Sequence, residues 1–172
     1  MKINLRRVTT GAVLIAAASA FLFCTGFTKA SDHGNHENGY LKSATYYSDD
    51  WVINFWNSES SHMDEELKQI REDGFNSIIL VVPWREFQPS MAPEHYNDYA
   101  WEKFDRVMKA AKAQDLKVML RVGYTWDYYS SENVLARYEK LLYDSETKKA
   151  WLHYAKRLYE KASAYDNFSL CG

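Results

Sequence analysis

Three apolar runs, each ending in aromatic and polar residues, constrain the fold of this 172-residue chain more than any other feature. They occupy residues 51–57, 78–86 and 118–127. Each run is too short for a membrane-spanning helix, contains β-branched residues, and is separated from the next by a segment with amphipathic helical periodicity. Buried parallel strands of α/β proteins have this pattern, because helices cover the sheet. We therefore predict parallel strands at these three positions.

The ends of these predicted strands indicate where a site lies. In parallel α/β folds, functional residues gather at the C-terminal ends of the strands. Here those ends carry indole rings beside polar side chains, a combination that suggests a sugar-binding cleft. The rings can stack on the apolar faces of sugars, and the polar groups can bond hydroxyls. The predicted substrate-binding residues are Asn54, Trp56, Trp84, Arg85, Arg121, Tyr124, Trp126 and Asp127.

These residues also have structural interpretations. Each tryptophan can pack between a loop and the rim of the sheet. Arg121 stands out because a charge inside an apolar strand is rarely tolerated without a partner. Glu86 and Asp127 are acids immediately at strand ends, and a lone carboxylate there more often forms a salt bridge or caps a loop.

No cofactor or metal is predicted from the sequence. His33 and His36 form the one histidine pair considered for a metal, and they lack a framework of Cys or carboxylate ligands. A solvated tail is the favoured interpretation of this segment.

The first 30 residues have the pattern of a secretory signal peptide. Lys2, Arg6 and Arg7 precede an uncharged stretch over residues 8–28, and Ala30 supplies a small residue at the expected cleavage site. An uncleaved membrane anchor is the alternative, because that stretch has about the 20 residues that a spanning helix needs. We predict a secreted or periplasmic protein, with a tail or linker at residues 31–45 and a folded domain at residues 46–172.

Charge and cysteine content narrow the possible partners. Residues 31–172 keep 17 basic and 23 acidic side chains, a formal charge of −6, because the four charges in the first 30 residues are all basic. This balance argues against nucleic acid and against anionic lipid, since both bind basic surfaces. Cys171 is the single cysteine after residue 30, so an intramolecular disulfide is excluded there.

Helices are predicted between the strands. Ser61 and Asp64 have the spacing of a capping box, and Gly74 supplies a C-terminal cap for the same helix. A second helix over residues 99–114 places its aromatic residues in the core and Lys103 on the solvent side. Asp144 or Ser145 begins a longer helix, and residues 166–172 begin a fourth strand.

Strand–helix repeats of this length suit either a doubly wound sheet or an eightfold barrel. A complete barrel has about 250 residues, far more than the 142 that follow residue 30. Residues 57–61 contain no glycine, which argues against the phosphate loop of a nucleotide-binding doubly wound fold. We predict an α/β fold that is a partial (β/α)8 TIM barrel of about three and a half βα units. A complete small open sheet is the alternative.

Several motifs resemble a known group of enzymes. Gly74-Phe75-Asn76, followed by an aliphatic run that ends at Trp84, resembles the second strand of the retaining glycoside hydrolases in the large (β/α)8 clan that includes β-galactosidases, endoglucanases and mannanases. Residues 101–121 are similar to that clan's second helix and third strand. Arg121 and the glycine and aromatic residues after it resemble the Leu-Arg-x-Gly pattern found there. The resemblance covers residues 51 to about 127.

The resemblance implies a retaining mechanism with two glutamates, one after strand four and one after strand seven. Retention requires the two carboxyl groups to lie about 5 Å apart. Neither position falls within the 172 residues, so no catalytic residue is assigned. We expect an exported glycoside-hydrolase-like protein that binds or acts on a β-linked glycan and is truncated before its catalytic glutamates. A non-catalytic extracytoplasmic carbohydrate-binding or polysaccharide-assembly module is one alternative, and an inactive truncated reading frame is another.

Overall fold

Parallel strands joined by helices make up residues 40–122 and 137–169, the part of the chain that the computed structural model describes. The predicted signal peptide and most of the predicted tail lie outside these residues, as do Tyr124, Trp126 and Asp127. The chain order of the elements is β1 Ser43–Tyr46, α1 Met63–Glu72, β2 Ser77–Val82, α2 Trp84–Phe87, β3 Ser90–Met91, β4 Glu94–His95, α3 Asp98–Ala113, β5 Lys117–Val122, α4 Arg137–Leu141, α5 Ser145–Ala162 and β6 Phe168–Ser169.

The main sheet has the strand order β1-β2-β5-β6, and every neighbouring pair is parallel. β2 and β5 pair along their whole length, from Ser77 opposite Lys117 to Val82 opposite Val122. β6 pairs with the first half of β5. These pairings confirm the parallel strands predicted within residues 78–86 and 118–127 and the fourth strand predicted after residue 166. β3 and β4 form a separate antiparallel hairpin.

The predicted strand at residues 51–57 is wrong. The first strand is β1, which begins inside the segment predicted as a tail, and residues Asn54–Asn57 form a turn of 3-10 helix. Phe55 and Trp56 on this turn are buried in the core. The apolar residues of this run therefore pack from a tight helical turn. Over so few residues, a buried strand and such a turn have similar sequence patterns, which is why the strand prediction failed.

The helix ends test the predicted caps. His62 is the N-cap residue of α1 and makes no side-chain cap bond, so the predicted capping box is wrong. Gly74 confirms its predicted role, because it has a left-handed φ of 81° and its N–H donates to the Arg71 carbonyl. α5 begins after Asp144, whose carboxylate accepts the Thr147 N–H at 2.9 Å. α3 lies within one residue of its predicted bounds.

The helices pack on one face of the sheet. A single core cluster joins alternate residues of β2 and β5 with side chains from all three long helices, among them Leu67, Phe104 and Leu158. The remaining strand residues, including Ser77, Ile79 and Val81 of β2, therefore belong to the opposite face, which we call the inner face. A doubly wound sheet has helices on both faces, whereas a (β/α)8 barrel has them outside only. The described chain is thus part of a barrel-type α/β fold.

The helices of the described residues are too short or too polar for a membrane-spanning segment. Among the described residues, no helix combines the length and the apolar character that such a crossing requires. The uncharged stretch at residues 8–28 lies outside the described part of the chain.

Candidate functional site

The C-terminal edge of the sheet carries three of the predicted binding residues, Asn54, Arg85 and Arg121. We define it by three segments: residues 47–62 after β1, which we call the β1–α1 loop, residues 83–97 after β2, and the last two residues of β5. Arg121 is exposed on the inner face and pairs with Val81 of β2. Arg85 is half-buried in the first turn of α2, and Asn54 is exposed at the start of the 3-10 turn.

Trp56 lies entirely in the core, with none of its surface exposed. Its Nε1 donates a hydrogen bond to the Val81 carbonyl at 2.9 Å. Its ring packs edge-on against Phe55 and Phe87, with centroid distances of 5.1 and 4.5 Å. An indole enclosed in this way has no face open to a sugar ring. The predicted stacking role of Trp56 is therefore corrected to a structural one.

Trp84 is enclosed in the same way, with 1% of its surface exposed. Its Nε1 donates to Gln88 Oε1 at 2.5 Å. The Tyr154 ring stacks on it at 6.3 Å, and the Trp151 ring meets it edge-on at 5.2 Å. Trp84 is also corrected to a core residue, because α2 turns its indole under α5 rather than outward from the strand end.

The length of β1 explains why aromatic side chains collect at this edge. β1 pairs with β2 only as far as Tyr46 opposite Leu80. Past that point, side chains supply donors to the last carbonyls of β2: the Trp56 indole to Val81 and the Tyr154 hydroxyl to Val82, the latter at 2.8 Å. Buried backbone carbonyls require such partners.

Lys103 anchors the β1–α1 loop from beneath. Its side chain was predicted on the solvent side of α3, but it is completely buried. Its Nζ donates to the carbonyls of Phe55 and, at 2.8 Å, Ser58, and lies 3.9 Å from the centre of the Phe55 ring. Burial is the main cause that lowers the pKa of Lys103 to about 8, and the nearby Arg106 lowers it further. The helical periodicity missed this residue because a long charged side chain can reach carbonyls from an inward position.

Glu86 joins the loops after β1 and β2. Its carboxylate accepts a hydrogen bond from the Asn57 side chain, and its backbone carbonyl accepts one from Asn97 Nδ2 at 3.0 Å. Asn97 Nδ2 also donates to Asn57 Oδ1 at 3.0 Å. Asn97 is in turn the N-cap of α3. These contacts show that Glu86 fixes the two loops, which agrees with the structural interpretation of this strand-end carboxylate given from the sequence.

A second polar cluster holds the β3–β4 hairpin against α5. Glu94 accepts hydrogen bonds from Tyr96 at 2.6 Å and from Gln88 at 2.8 Å, and it forms an ion pair with His153 at 3.4 Å. The Tyr96 hydrogen bond is the main cause of a lowered pKa at Glu94. No group of three or more His, Cys, Asp or Glu residues suited to a metal ion occurs within residues 40–122 and 137–169.

The β1–α1 loop presents a line of three exposed residues, of which Asn54 was predicted from the sequence and Trp51 and Asn57 were not. Trp51, Asn54 and Asn57 are exposed, whereas the residues between them are all buried. This spacing of three matches the repeat of a 3-10 helix. A search for that period in residues 51–57 would have separated the outward indole of Trp51 from the inward indole of Trp56.

Together these observations define the class of the protein: a partial barrel of the (β/α)8 type whose strand ends carry exposed polar and aromatic side chains. Solved structures share this fold. A GH5_18 protein from Bifidobacterium longum in complex with Man-β-1,4-GlcNAc matches with a TM-score of 0.62 and 20% identity over 76% of this chain and 32% of that one. An exo-β-1,4-mannosidase from an Opitutaceae bacterium matches with a TM-score of 0.59 and 18% identity over 76% of this chain and 23% of that one.

A mutant form of Cel5A from Thermotoga maritima in complex with cellobiose matches with a TM-score of 0.54 and 18% identity over 76% of this chain and 41% of that one. No protein-family model and no curated protein matches the sequence. The chain thus spans about a third of the length of the GH5_18 structures that it matches. The resemblance to the clan of (β/α)8 glycoside hydrolases is confirmed for the fold.

Proposed function

We propose that this chain is part of an exported glycoside-hydrolase-like barrel that binds or acts on a β-linked glycan at the C-terminal edge of its sheet. The observation that carries the proposal is the placement of Asn54 and Arg121. Both side chains are exposed; Asn54 lies in the loop after β1 and Arg121 near the end of β5, the two strands that flank β2 in a fold shared with glycoside hydrolases. In this proposal, the acid/base and nucleophile implied by the resemblance lie outside the 172 residues.

The proposed ligand is an uncharged oligo- or polysaccharide with β-1,4-linked mannosyl or glucosyl units. The similar structures support this class, because they include an exo-β-1,4-mannosidase and complexes with Man-β-1,4-GlcNAc and cellobiose. The guanidinium of Arg121 offers five N–H donors and the amide of Asn54 offers both donors and an acceptor, a set suited to hydroxyl groups. Trp56 and Trp84 do not contribute to stacking, since both are buried, and Trp126 lies outside the described residues.

Export is proposed from the first 30 residues, with cleavage after Ala30. The mature chain then carries a formal charge of −6, which disfavours nucleic acid and anionic membranes as partners. Mass spectrometry of the protein recovered from the extracytoplasmic fraction tests this, with a mature N-terminus at Ser31 as the expected result. Recovery of the intact 172-residue chain in the membrane fraction would support the uncleaved anchor instead.

Calorimetric titration of the chain with β-1,4-linked manno- and gluco-oligosaccharides tests the binding proposal. Arg121→Ala should weaken binding at least about tenfold, because hydrogen bonds to a charged group contribute about 1.5–3 kcal/mol. Lys117→Ala is the matched control, since Lys117 is a cation on the same face of β5 at the opposite end of the strand. Equal losses in the two variants, or no binding by the unmodified chain, would contradict the proposal.

A further inference from the structure

The Trp51 side chain is an exposed aromatic group at the C-terminal edge of the sheet. Its exposed fraction is 52%, compared with 1% or less for Trp56 and Trp84. Among the described residues, its indole takes part in no hydrogen bond and no ring contact. Its backbone carbonyl accepts the Phe55 N–H at 3.0 Å, so the main chain is fixed while the ring points outward.

The position of Trp51 relative to the sheet is set by the residues after it. Val52 and Ile53 are buried and form a small cluster with Val81 on the inner face of β2. Val81 pairs with Arg121. The 51–53 segment therefore crosses the end of β2 beside Arg121, and Lys103 holds the following turn through the carbonyls of Phe55 and Ser58. The exposed Trp51 ring therefore extends from a backbone segment that is held in place.

Tyr47, with 36% exposure, lies on the same loop as Trp51, and the other exposed aromatic residues of the described chain lie outside the three segments that define this edge. Tyr40, with 87% exposure, precedes β1 at the opposite edge of the sheet, and Tyr159 on α5 contacts Phe168. Trp51 lies on the same loop as the exposed Asn54, and the residues after it contact Val81, the register partner of the exposed Arg121. An indole face covers the C–H face of a sugar ring, while amide and guanidinium groups bond its hydroxyls. An aromatic ring loses little conformational entropy when it binds, which suits it to such a contact.

We propose that Trp51 is the aromatic platform on which a sugar ring of the β-linked glycan stacks. This inference rests on the proposed function and gives it a specific contact, in place of the buried Trp56 and Trp84. The stacked ring lies over the β1–α1 loop, and its hydroxyls face Asn54 on the same loop and Arg121 on β5.

Calorimetry with β-1,4-linked manno- and gluco-oligosaccharides compares Trp51→Ala, Trp51→Phe and Tyr40→Ala in the 172-residue chain. Trp51→Ala should raise the dissociation constant about tenfold or more, since buried aromatic anchors carry much of a binding energy. Trp51→Phe should retain most of the affinity because it keeps an aromatic face. Tyr40→Ala, which removes an even more exposed ring at the other edge, should bind as the unmodified chain does.

Oxidation with N-bromosuccinimide provides a readout that needs no variant. Peptide mass spectrometry should find Trp51 more reactive than Trp56 and Trp84, and saturating oligosaccharide should protect it. If the unmodified chain binds the oligosaccharides while Trp51→Ala binds equally well, or while Trp51 is not protected, the platform is overturned and the proposed function stands. If the unmodified chain binds none of them, the proposed function is overturned and the platform with it.

Discussion

Replacement of Trp56 separates the core role of this residue from a role in binding. The side chain is completely buried and supplies the donor for the Val81 carbonyl. Trp56→Phe should lower the free energy of unfolding by about 1–3 kcal/mol, because the carbonyl is left buried without its partner. Trp56→Ala should cost about 3–5 kcal/mol, since a cavity is added. That loss approaches the whole stability of many domains, so Trp56→Phe is the informative variant.

Urea unfolding followed by far-ultraviolet circular dichroism measures the effect. Trp51→Phe is the matched control and should change the free energy of unfolding by no more than about 0.5 kcal/mol. The Trp51 ring is half exposed and makes no hydrogen bond or ring contact with the described residues. Folded Trp56→Phe should bind β-1,4-linked oligosaccharides with unchanged affinity. The reasoning is refuted if Trp56→Phe keeps full stability and loses oligosaccharide binding, since Trp56 would then act at the ligand.

Three further predictions follow from the same contacts. The free energy of unfolding should rise from pH 8 to about 9, because folded Lys103 has a pKa of about 8 against an ordinary 10.5, so the unfolded chain binds more protons in this window. Nearer pH 10 the raised pKa values of Tyr46, Tyr96 and Tyr165 act in the opposite direction, because the unfolded tyrosines lose their protons first. Lys103→Met should remove that rise in urea midpoints, whereas Lys109→Met, at an exposed position of α3, should keep it. Tyr154→Phe should cost about 1–3 kcal/mol in urea unfolding through the loss of a donor to Val82, while Tyr159→Phe on the same helix stays within about 0.5 kcal/mol. The 172-residue chain should release no reducing sugar from β-1,4-glycans above background. The carboxylate of Glu86 is hydrogen-bonded by Asn57, and the general acid–base assistance that is missing contributes about 10²–10⁴-fold to the rate of such reactions. Hydrolysis that Glu86→Gln abolishes would contradict this prediction.

The two central strands were predictable because their sequences are largely apolar, which in β2 reflects burial on both faces. Residues 77–82 are almost entirely apolar, and β5 departs from this only at Lys117 and Arg121. β1 gave no such signal. Its four residues, Ser-Ala-Thr-Tyr, lie at the edge of the described sheet, and only Tyr46 is buried. A short edge strand of this composition resembles a polar linker in sequence.

The candidate site was predictable in location and less so in its residues. The C-terminal edge followed from the strand pattern, and the structure places Asn54, Arg85 and Arg121 there. Which tryptophan faces outward depends on where the pairing of β1 with β2 stops, because that point decides which carbonyls need an indole or phenol donor. The end of this pairing is set by the tertiary structure, and the amino-acid composition of the segment does not reveal it.

The threefold spacing of exposed and buried positions in residues 51–57 also bears on how this surface can change. Substitutions at positions 51, 54 and 57 alter the outer side of the turn, while positions 52, 53, 55 and 56 carry its packing. A saturation library over these seven codons should therefore recover folded protein with diverse residues at positions 51 and 54, fewer at position 57, whose side chain bonds Glu86 and Asn97, and fewest at the other four. Directed evolution of the proposed glycan-binding surface can then be confined to the exposed positions of this turn, with the supporting barrel kept constant.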